Sequence, residues 1–257
     1  MPVFTPLTPV GVRVTDARID DLDEPRIEEL RLALATRGVV VMPDQEVHDE
    51  GFLRFVRRFG ETVFTVGETP VPGRPELNVV TNVGRTRPPR STFHTDTSYI
   101  STPPAYTALR AVSVPERGGQ TLFTNQYAAY ETLPERFRTM LEGRTITHVV
   151  TGVTPDGRQE SSARHPVFLR HPVSGKTALY MSTPERCAEV SGMSPALSAE
   201  TVAYLFEHST REDNVYRHSW APGDVVMWDN RCVLHKADHD GVVGDRVLHR
   251  GMVAAPA

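Results

Sequence analysis

The residues with the clearest potential for chemistry are two histidines and an aspartate: His94, Asp96 and, far downstream, His235. If 93–97 is a strand, His94 and Asp96 point to the same face, because side-chain direction alternates along a strand. A second imidazole from His235 would complete a set of two nitrogens and one carboxylate oxygen. Such a set on one face of a metal is typical of non-haem Fe(II) sites with open coordination positions. The pattern His-x-Asp alone arises often by chance, so its weight depends on further partners.

Two arginines that follow His235 are such partners. Segment 236–245 contains two glycines and three aspartates and predicts a hairpin loop. If that hairpin closes symmetrically, His235 lies opposite Arg246, with Cβ atoms roughly 5 Å apart. Arg250 would share the face of Arg246, about 13 Å further along the strand. Because guanidinium groups bind carboxylates and sulfonates through paired hydrogen bonds, the two arginines favour an anionic ligand, although ordinary surface arginines would give the same pattern.

The elements that must position these residues are mostly short strands. Apolar spacing predicts helices over 25–38, 48–59, 127–142 (broken at Pro134) and 198–208, with Ser198 as the N-cap of the last. Strands are predicted at 39–42, 77–80, 104–114, 120–123, 145–150, 165–170, 177–181, 215–220, 225–228, 232–237 and 246–253. Turns at 115–119 and 173–176 predict two further hairpins. The chain therefore reads as mainly β with flanking helices, in a double-sheet jelly roll.

Composition sets the broad class. The 257 residues are 39% hydrophobic and 23% charged, which suits a single domain spanning 1–257. The formal net charge of −4 and the absence of a basic run give no reason to expect nucleic acid. No apolar stretch is long enough to span a membrane and no signal peptide is evident, so a cytoplasmic location is expected. The sequence does not decide between a monomer and a homo-oligomer. Only Cys187 and Cys232 are present, and a disulfide is not expected.

The stretch 61–92 precedes the first metal-ligand candidate and is rich in Pro, Gly, Thr and Arg. A long irregular segment in this place is a candidate active-site loop, and an ordinary surface loop is the alternative.

Taken together, the motifs carry a resemblance. They are His94-Thr95-Asp96, Gly118-Gly119-Gln120-Thr121-Leu122-Phe123, His165-Pro166-Val167, Trp228-Asp229-Asn230-Arg231, His235, Arg246 and Arg250. In order and spacing, over nearly the whole chain, they resemble the taurine dioxygenase and 2,4-dichlorophenoxyacetate dioxygenase (TauD/TfdA) family of Fe(II)/2-oxoglutarate-dependent dioxygenases. The resemblance implies a double-stranded β-helix, which is the jelly roll already predicted.

The resemblance also implies roles for single residues. His94, Asp96 and His235 would bind Fe(II), and Thr121 and Arg246 would hold the distal carboxylate of the cosubstrate 2-oxoglutarate. Arg250 would meet an anionic group of substrate or cosubstrate. The implied reaction uses O2, releases succinate and CO2, and oxidises a C–H bond of a small-molecule substrate, most often by hydroxylation, with desaturation or rearrangement as alternatives.

Departures from the family pattern bear on the substrate. Taurine dioxygenases place a sulfonate-binding histidine before the metal motif, and this chain has no histidine between Phe59 and His94, which disfavours taurine. A small organic anion at Arg250 or a larger natural-product intermediate remains. Because Asp96 is retained, the vacant position that halogenating relatives use is not expected.

Two other classes of protein share parts of the pattern. A non-catalytic jelly-roll metal-binding protein would leave Thr121 and Arg246 without a purpose. A zinc hydrolase with the same ligands would not need that pair either. Four further histidines are expected to be hydrogen-bonded or solvated rather than metal ligands: His165, His171, His218 and His239. Asp229 and Asn230 are expected to orient the strand that carries His235.

Overall fold

The structure is a computed structural model that describes residues 1–65, 67–84, 92–152 and 160–254. Its α-helices are α1 (Glu24–Arg37), α2 (Asp49–Arg57), α3 (Gln126–Glu131), α4 (Glu135–Leu141) and α5 (Pro195–Ser209). Its strands are β1 (Val3–Pro6), β2 (Val12–Thr15), β3 (Val39–Met42), β4 (Thr62–Val63), β5 (Pro70–Val71), β6 (Arg74–Thr81), β7 (Tyr106–Ser113), β8 (Thr121–Asn125), β9 (Thr145–Val149), β10 (Ser162–Pro166), β11 (Phe168–Arg170), β12 (Thr177–Leu179), β13 (Cys187–Val190), β14 (Val215–His218), β15 (Val225–Asp229), β16 (Val233–Ala237) and β17 (Val247–Val253).

Helix α1 shows how local sequence sets an element. The Asp23 side chain accepts a hydrogen bond from the Arg26 amide (3.1 Å) and caps the first turn, which also contains Pro25. Gly38 ends the helix with φ +79°, a conformation that a residue with a Cβ rarely adopts. Within the described ranges no helix is both long and apolar enough to cross a bilayer.

Two facing sheets form the body of the jelly roll. Among the described residues, nine strands form the larger sheet, in the order β1-β2-β3-β15-β7-β17-β6-β5, with β4 also paired to β17. The smaller sheet has the order β14-β8-β16. Strand β9 pairs with β10 and β13, and β11 pairs with β12. The predicted mainly β jelly roll is therefore confirmed.

The centre of the larger sheet, at β3 and β15, is buried on both faces. In β15, Val226 and Trp228 pack toward Phe123 of the smaller sheet, whereas Val225 and Met227 belong to the cluster formed with α1 and α2. This period of two is what a strand between two apolar layers requires. Each fully buried aliphatic side chain contributes about 1.5–3 kcal/mol, so the core between the sheets firmly fixes their mutual position.

Most predicted elements are confirmed, with changed ends. Helix α5 begins at Pro195 and is capped by Ser194, whose hydroxyl accepts from the Leu197 amide (3.3 Å), so Ser198 as N-cap is wrong. The Ser198 side chain instead accepts from the Val190 amide (3.1 Å). The strand predicted at 77–80 is longer as β6. Strands β1, β2, β4, β5 and β13 were missed because they are short and carry little alternating pattern.

The predicted hairpin between 104–114 and 120–123 is wrong. Strand β7 pairs with β15 and β17 in the larger sheet, whereas β8 pairs with β14 and β16 in the smaller one. The glycine-rich turn at 115–119 therefore crosses between sheets instead of joining neighbouring strands. The hairpin around 173–176 is confirmed, since Leu169 of β11 faces Ala178 of β12. Of the candidate loop 61–92, residues 66 and 85–91 lie outside the described part of the chain.

Candidate metal centre

The three predicted metal-ligand candidates meet in space. One ligand atom each from His94, Asp96 and His235 lies within 4.8 Å of the others. The Nε2 atom of His94 is 3.6 Å from Asp96 Oδ1, and Nε2 of His235 is 3.7 Å from Asp96 Oδ2. Two imidazole nitrogens and a carboxylate oxygen at this spacing could hold a divalent transition metal.

The backbone brings the two histidines together at the edge of the smaller sheet, where His94 lies beside β16. The His94 amide donates to the His235 carbonyl (2.9 Å), and the His235 amide donates to the His94 carbonyl (3.0 Å). This single bridge is the only β pairing of the motif among the described residues, so the predicted strand over 93–97 is wrong. A turn begins at Asp96, and Thr97 has φ +47°. Asp96 therefore reaches the centre through a turn rather than by strand alternation.

The protonation states suit metal binding. Nδ1 of His94 lies 2.9 Å from the Thr92 carbonyl oxygen, which can only accept, so the proton sits on Nδ1 and the Nε2 lone pair faces the centre. Burial lowers the pKa of His235 to about 3 and keeps that imidazole neutral. Burial alone would raise the pKa of Asp96, but His235, Arg250 and His94 outweigh it and hold that pKa well below its usual range. The centre thus offers the Nε2 atoms of two imidazoles and an ionised carboxylate.

A buried chain of hydrogen bonds ends on Asp96. The indole N–H of Trp228 donates to Asn230 Oδ1 (3.1 Å), and Asn230 Nδ2 donates to Thr107 Oγ1 (2.8 Å). The Thr107 hydroxyl donates to Asp96 Oδ2 (2.8 Å). Since an ionised carboxylate can only accept, the Thr107 hydroxyl must be the donor of this last hydrogen bond. Asn230, expected to orient the His235 strand, therefore acts on Asp96 instead.

Asp229, the other residue expected to orient that strand, has different contacts. Its carboxylate accepts from His171 Nε2 (2.9 Å) and from the Arg231 amide (2.9 Å) and guanidinium. Burial alone would raise its pKa, but these hydrogen bonds outweigh burial and lower it. Asp229 therefore holds the turn between β15 and β16.

Arg246 is a buried cation without an acidic partner in the part of the chain that the structure describes. Its side chain is 1% exposed; Nε donates to the Gly119 carbonyl (2.7 Å) and Nη2 to Thr121 Oγ1 (3.1 Å). Nη1 has no hydrogen-bond partner and the guanidinium no ion pair with any residue that the structure describes. Burial lowers its pKa to about 10. An uncompensated buried charge is costly, so this arrangement fits an anion supplied from outside the chain.

Thr121 completes this anion site. Its oxygen accepts from Arg246 and also from the indole N–H of Trp220 (3.0 Å). With two donors already on the oxygen, the hydroxyl proton is left to donate to a ligand. A cavity of about 190 Å³ is lined by Thr121, Arg246 and both histidines of the triad, so the anion site and the candidate metal centre share one space.

The hairpin that was expected to place Arg246 opposite His235 is wrong. His235 faces Phe123 of β8, whereas Arg246 directly precedes β17, which pairs with β6 and β7. The two residues lie in opposite sheets and meet because these sheets face each other. The cavity is thus bounded by both layers of the jelly roll.

Arg250 lines the same cavity as Arg246, as predicted from their spacing. Its Nε donates to Asn78 Oδ1 (3.0 Å), Nη1 is 3.5 Å from Asp96 Oδ1, and Nη2 is 3.1 Å from Glu68 Oε1. It also lines a second cavity of about 320 Å³ that reaches the triad from the other side, together with Tyr99 and Arg186.

The remaining candidate histidines are not part of the triad among the described residues. Nε2 of His165 lies near the carbonyl oxygens of Ser98 (2.9 Å) and Ile100 (3.1 Å). His171 pairs with Asp229. Nε2 of His218 is 3.1 Å from Asp224, in a buried pair beside Trp220. Cys187 and Cys232 are both buried and free. The expectation of hydrogen-bonding roles is confirmed for His165 and His171.

Comparison with known proteins bears on this site. The sequence profile of the taurine catabolism dioxygenase TauD, TfdA family matches residues 4–252. The chain belongs to this family. As a member it is an oxidoreductase, a 2-oxoglutarate-dependent dioxygenase that uses Fe(II) and acts with O2 on a small molecule.

Three similar proteins illustrate the range of this TauD/TfdA family. The alpha-ketoglutarate-dependent 2,4-dichlorophenoxyacetate dioxygenase of Cupriavidus pinatubonensis is 31% identical to this chain. The alignment covers 95% of this chain and 94% of that protein. Pentalenolactone F synthase of Streptomyces arenae is 32% identical and covers 90% and 87%. A crystal structure of AAD-2 in complex with Mn(II) and N-oxalylglycine superposes with a TM-score of 0.87, at 25% identity, covering 100% and 98%.

Proposed function

We propose that His94, Asp96 and His235 hold Fe(II), and that Arg246 and Thr121 hold the distal carboxylate of 2-oxoglutarate. The proposed reaction oxidises, by hydroxylation, an unactivated C–H bond of a small anionic organic molecule. The observation that carries the proposal is Arg246, a buried guanidinium with a hydrogen-bonding nitrogen left over, in the same cavity as the triad. Neither a simple metal-binding protein nor a zinc hydrolase gives that charge a purpose.

Each residue has a distinct task in this proposal. The three ligands would hold the metal through two imidazole nitrogens and a carboxylate oxygen, and would leave room beside it for the keto acid and O2. Bound Fe(II) with 2-oxoglutarate would supply oxidative decarboxylation to succinate and CO2, coupled to oxidation of the substrate. Arg246 offers a planar fork to a carboxylate, and the Thr121 hydroxyl adds a third donor. The Trp228–Asn230–Thr107 chain keeps Asp96 in place.

The substrate is proposed to reach the centre through the 320 Å³ cavity, with its acidic group near Arg250. Thr65, Glu68 and Thr69 line this cavity, which supports the proposed contribution of segment 61–92 to the active site of a single domain, 1–257. Similarity to pentalenolactone F synthase supports, as a second candidate, desaturation or rearrangement of a natural-product intermediate. A cytoplasmic location remains part of the proposal.

The test is anaerobic loading with Fe(II) and 2-oxoglutarate. We expect a weak visible charge-transfer band and, after air and a panel of candidate acids are added, release of succinate. The His94→Ala variant should lose both signals, because one metal ligand is gone. The matched control is His208→Ala, which removes a part-buried histidine from α5. Well-folded, iron-loaded protein that binds metal but gives neither band nor succinate would instead identify a non-catalytic metal-binding protein.

A further inference from the structure

The guanidinium of Arg250 is already occupied in the absence of substrate. Its three nitrogens face Asn78, Asp96 and Glu68 at 3.0, 3.5 and 3.1 Å. The Arg250 side chain is only 11% exposed, and it lines the cavities on which the proposed site depends. An acid that enters the 320 Å³ cavity therefore meets a guanidinium whose Nε, Nη1 and Nη2 atoms each already lie beside an oxygen of the chain, with Nη2 beside the carboxylate of Glu68.

Of the three partners, Glu68 is the one that can be replaced. Asp96 is a proposed metal ligand, and Asn78 is 1% exposed within β6. Glu68 lies between β4 and β5, its side chain is 33% exposed, and it contacts Arg250 through a single oxygen. A monodentate, partly solvated ion pair is weak compared with a buried bidentate one.

The backbone around Glu68 is held at the cavity rather than free on the surface. The Glu68 amide donates to the Thr65 carbonyl (3.3 Å), and the Thr65 hydroxyl is 3.1 Å from that of Thr97, next to the metal ligand Asp96. On the other side, the Val79 amide donates to the Thr69 carbonyl (2.9 Å). Glu68 thus has a defined place at the wall of the substrate cavity.

We propose that Glu68 is a specificity residue: its carboxylate occupies Nη2 of Arg250, and an acidic substrate binds by displacing it. This inference rests on the proposed function. Two carboxylates on one guanidinium repel each other, so a substrate must offer a stronger contact than Glu68 does. A carboxylate, sulfonate or sulfate ester that is also held by the rest of the cavity meets this condition, whereas a weakly held small anion does not.

An alternative role for Glu68 is to bind a cationic group of the substrate, such as an ammonium. The charges of the cavity argue against it, because Arg186 and Arg250 line the same space and the only other acid among the described residues of that lining, Asp96, is a proposed metal ligand. A cation beside Glu68 would lie within a few ångströms of the Arg250 guanidinium, and like charges at such a distance destabilise each other. An acid-bearing substrate is therefore the better match.

The experiment compares Glu68→Gln with wild type in protein loaded with Mn(II) and N-oxalylglycine. Calorimetry measures the binding of phenoxyacetate and of its uncharged amide, phenoxyacetamide. We expect phenoxyacetate to bind about tenfold more tightly to Glu68→Gln, which is about 1.4 kcal/mol, with the affinity for the amide unchanged. The matched control is Glu76→Gln, which removes the same charge from a side chain of similar exposure (31%) that pairs with Arg57. It should behave as wild type.

The outcomes are distinct. Equal phenoxyacetate affinity in Glu68→Gln and wild type, including no detectable binding in either, overturns the proposal. Weaker binding in Glu68→Gln would make Glu68 a receptor for the substrate and also overturns it. If Glu68→Gln binds both phenoxyacetate and phenoxyacetamide more tightly, the effect does not depend on the charge of the ligand, and the proposal is again overturned. Failure of the proposed function would appear separately, as wild-type protein that releases no succinate from 2-oxoglutarate.

Discussion

The hydrogen bond from Thr107 to Asp96 makes the position of a metal ligand depend on a residue that does not touch the metal. Replacing Thr107 with Val keeps the shape of the side chain and removes the hydroxyl. Asp96 Oδ2 then loses a 2.8 Å donor, and Asn230 Nδ2 loses its acceptor. Both are losses in a fully buried place, since Thr107 is 0% and Asn230 1% exposed.

The expected magnitude follows from the charge on Asp96. A hydrogen bond to a charged group contributes about 1.5–3 kcal/mol. At about 1.4 kcal/mol per factor of ten, Fe(II) affinity should fall roughly 10- to 100-fold in Thr107→Val. That range agrees with the effect of about 10–100-fold for residues that support metal ligands in other proteins. Thr107→Ser keeps the hydroxyl and should retain most of the affinity.

Competition with a chromophoric chelator under argon measures the affinity. Stability must be separated from it, because the orphaned Asn230 amide alone should lower the free energy of unfolding by about 1–3 kcal/mol. Ser198→Ala is the control, since it leaves the Val190 amide without its 3.1 Å acceptor in a region remote from the centre. If Thr107→Val loses stability as this control does but binds Fe(II) like Thr107→Ser, Thr107 has no positioning role.

Three further predictions follow from individual contacts. Arg246→Lys should raise the KM for 2-oxoglutarate about 10- to 100-fold, because an ammonium cannot replace a bidentate charged fork, with Fe(II) affinity unchanged; an unaltered KM in steady-state assays would contradict the assigned role. Trp220→Phe removes one of the two donors to Thr121, so the KM for 2-oxoglutarate should rise about 2- to 10-fold while the KM for the organic substrate stays constant. Burial lowers the pKa of His148 from 6.5 to about 3, so between these values the unfolded chain binds a proton that the folded chain does not, and stability present above pH 6.5 is lost as the pH falls. In denaturant unfolding of metal-free protein, the free energy of unfolding should therefore fall by about 2 kcal/mol more from pH 7 to pH 5 in wild type than in His148→Phe. If the free energy of unfolding depends on pH in the same way in both proteins, His148 is not the cause.

The metal triad was predictable because chemistry restricts its residue types. Few side chains bind Fe(II), and His94, Asp96 and His235 stood among motifs in a recognisable order. The geometric reason first given for their meeting was wrong, since Asp96 lies in a turn that ends in the left-handed Thr97 and not on a strand. Residue identity thus located the site more reliably than local periodicity did.

For Arg246, too, the residue type pointed to the site correctly, whereas the predicted local geometry was wrong. A symmetric hairpin placed it near His235, yet β16 and β17 pair with different sheets. Arg246 still lines the cavity because the two sheets face each other, which periodicity within one strand cannot reveal. Loop length between two strands does not say whether they pair or cross between layers, so hairpins were predicted too often.

Other residues of the site carried no sequence signal. Thr107 is one of several buried threonines, and its partner Asn230 is 123 positions away. Trp220 belongs to none of the predicted motifs, and its donation to Thr121 depends on β14 lying beside β8. Glu68 lies in a stretch whose composition suggests only a loop. Their roles arise from tertiary contacts, which one sequence does not encode in any local pattern.

Trp228 shows why the centre and the core cannot be treated separately. Its ring packs 4.5 Å from that of His235 and 5.3 Å from that of Phe123, between centroids, and its N–H begins the chain that ends on Asp96. One side chain therefore supports ligands that come from two distant segments. Because interiors are close-packed, a shift between the sheets would move the ring and the hydrogen-bond chain together. The apolar layer that joins the sheets is thus also the layer that keeps the two imidazoles and the carboxylate within reach of one metal ion.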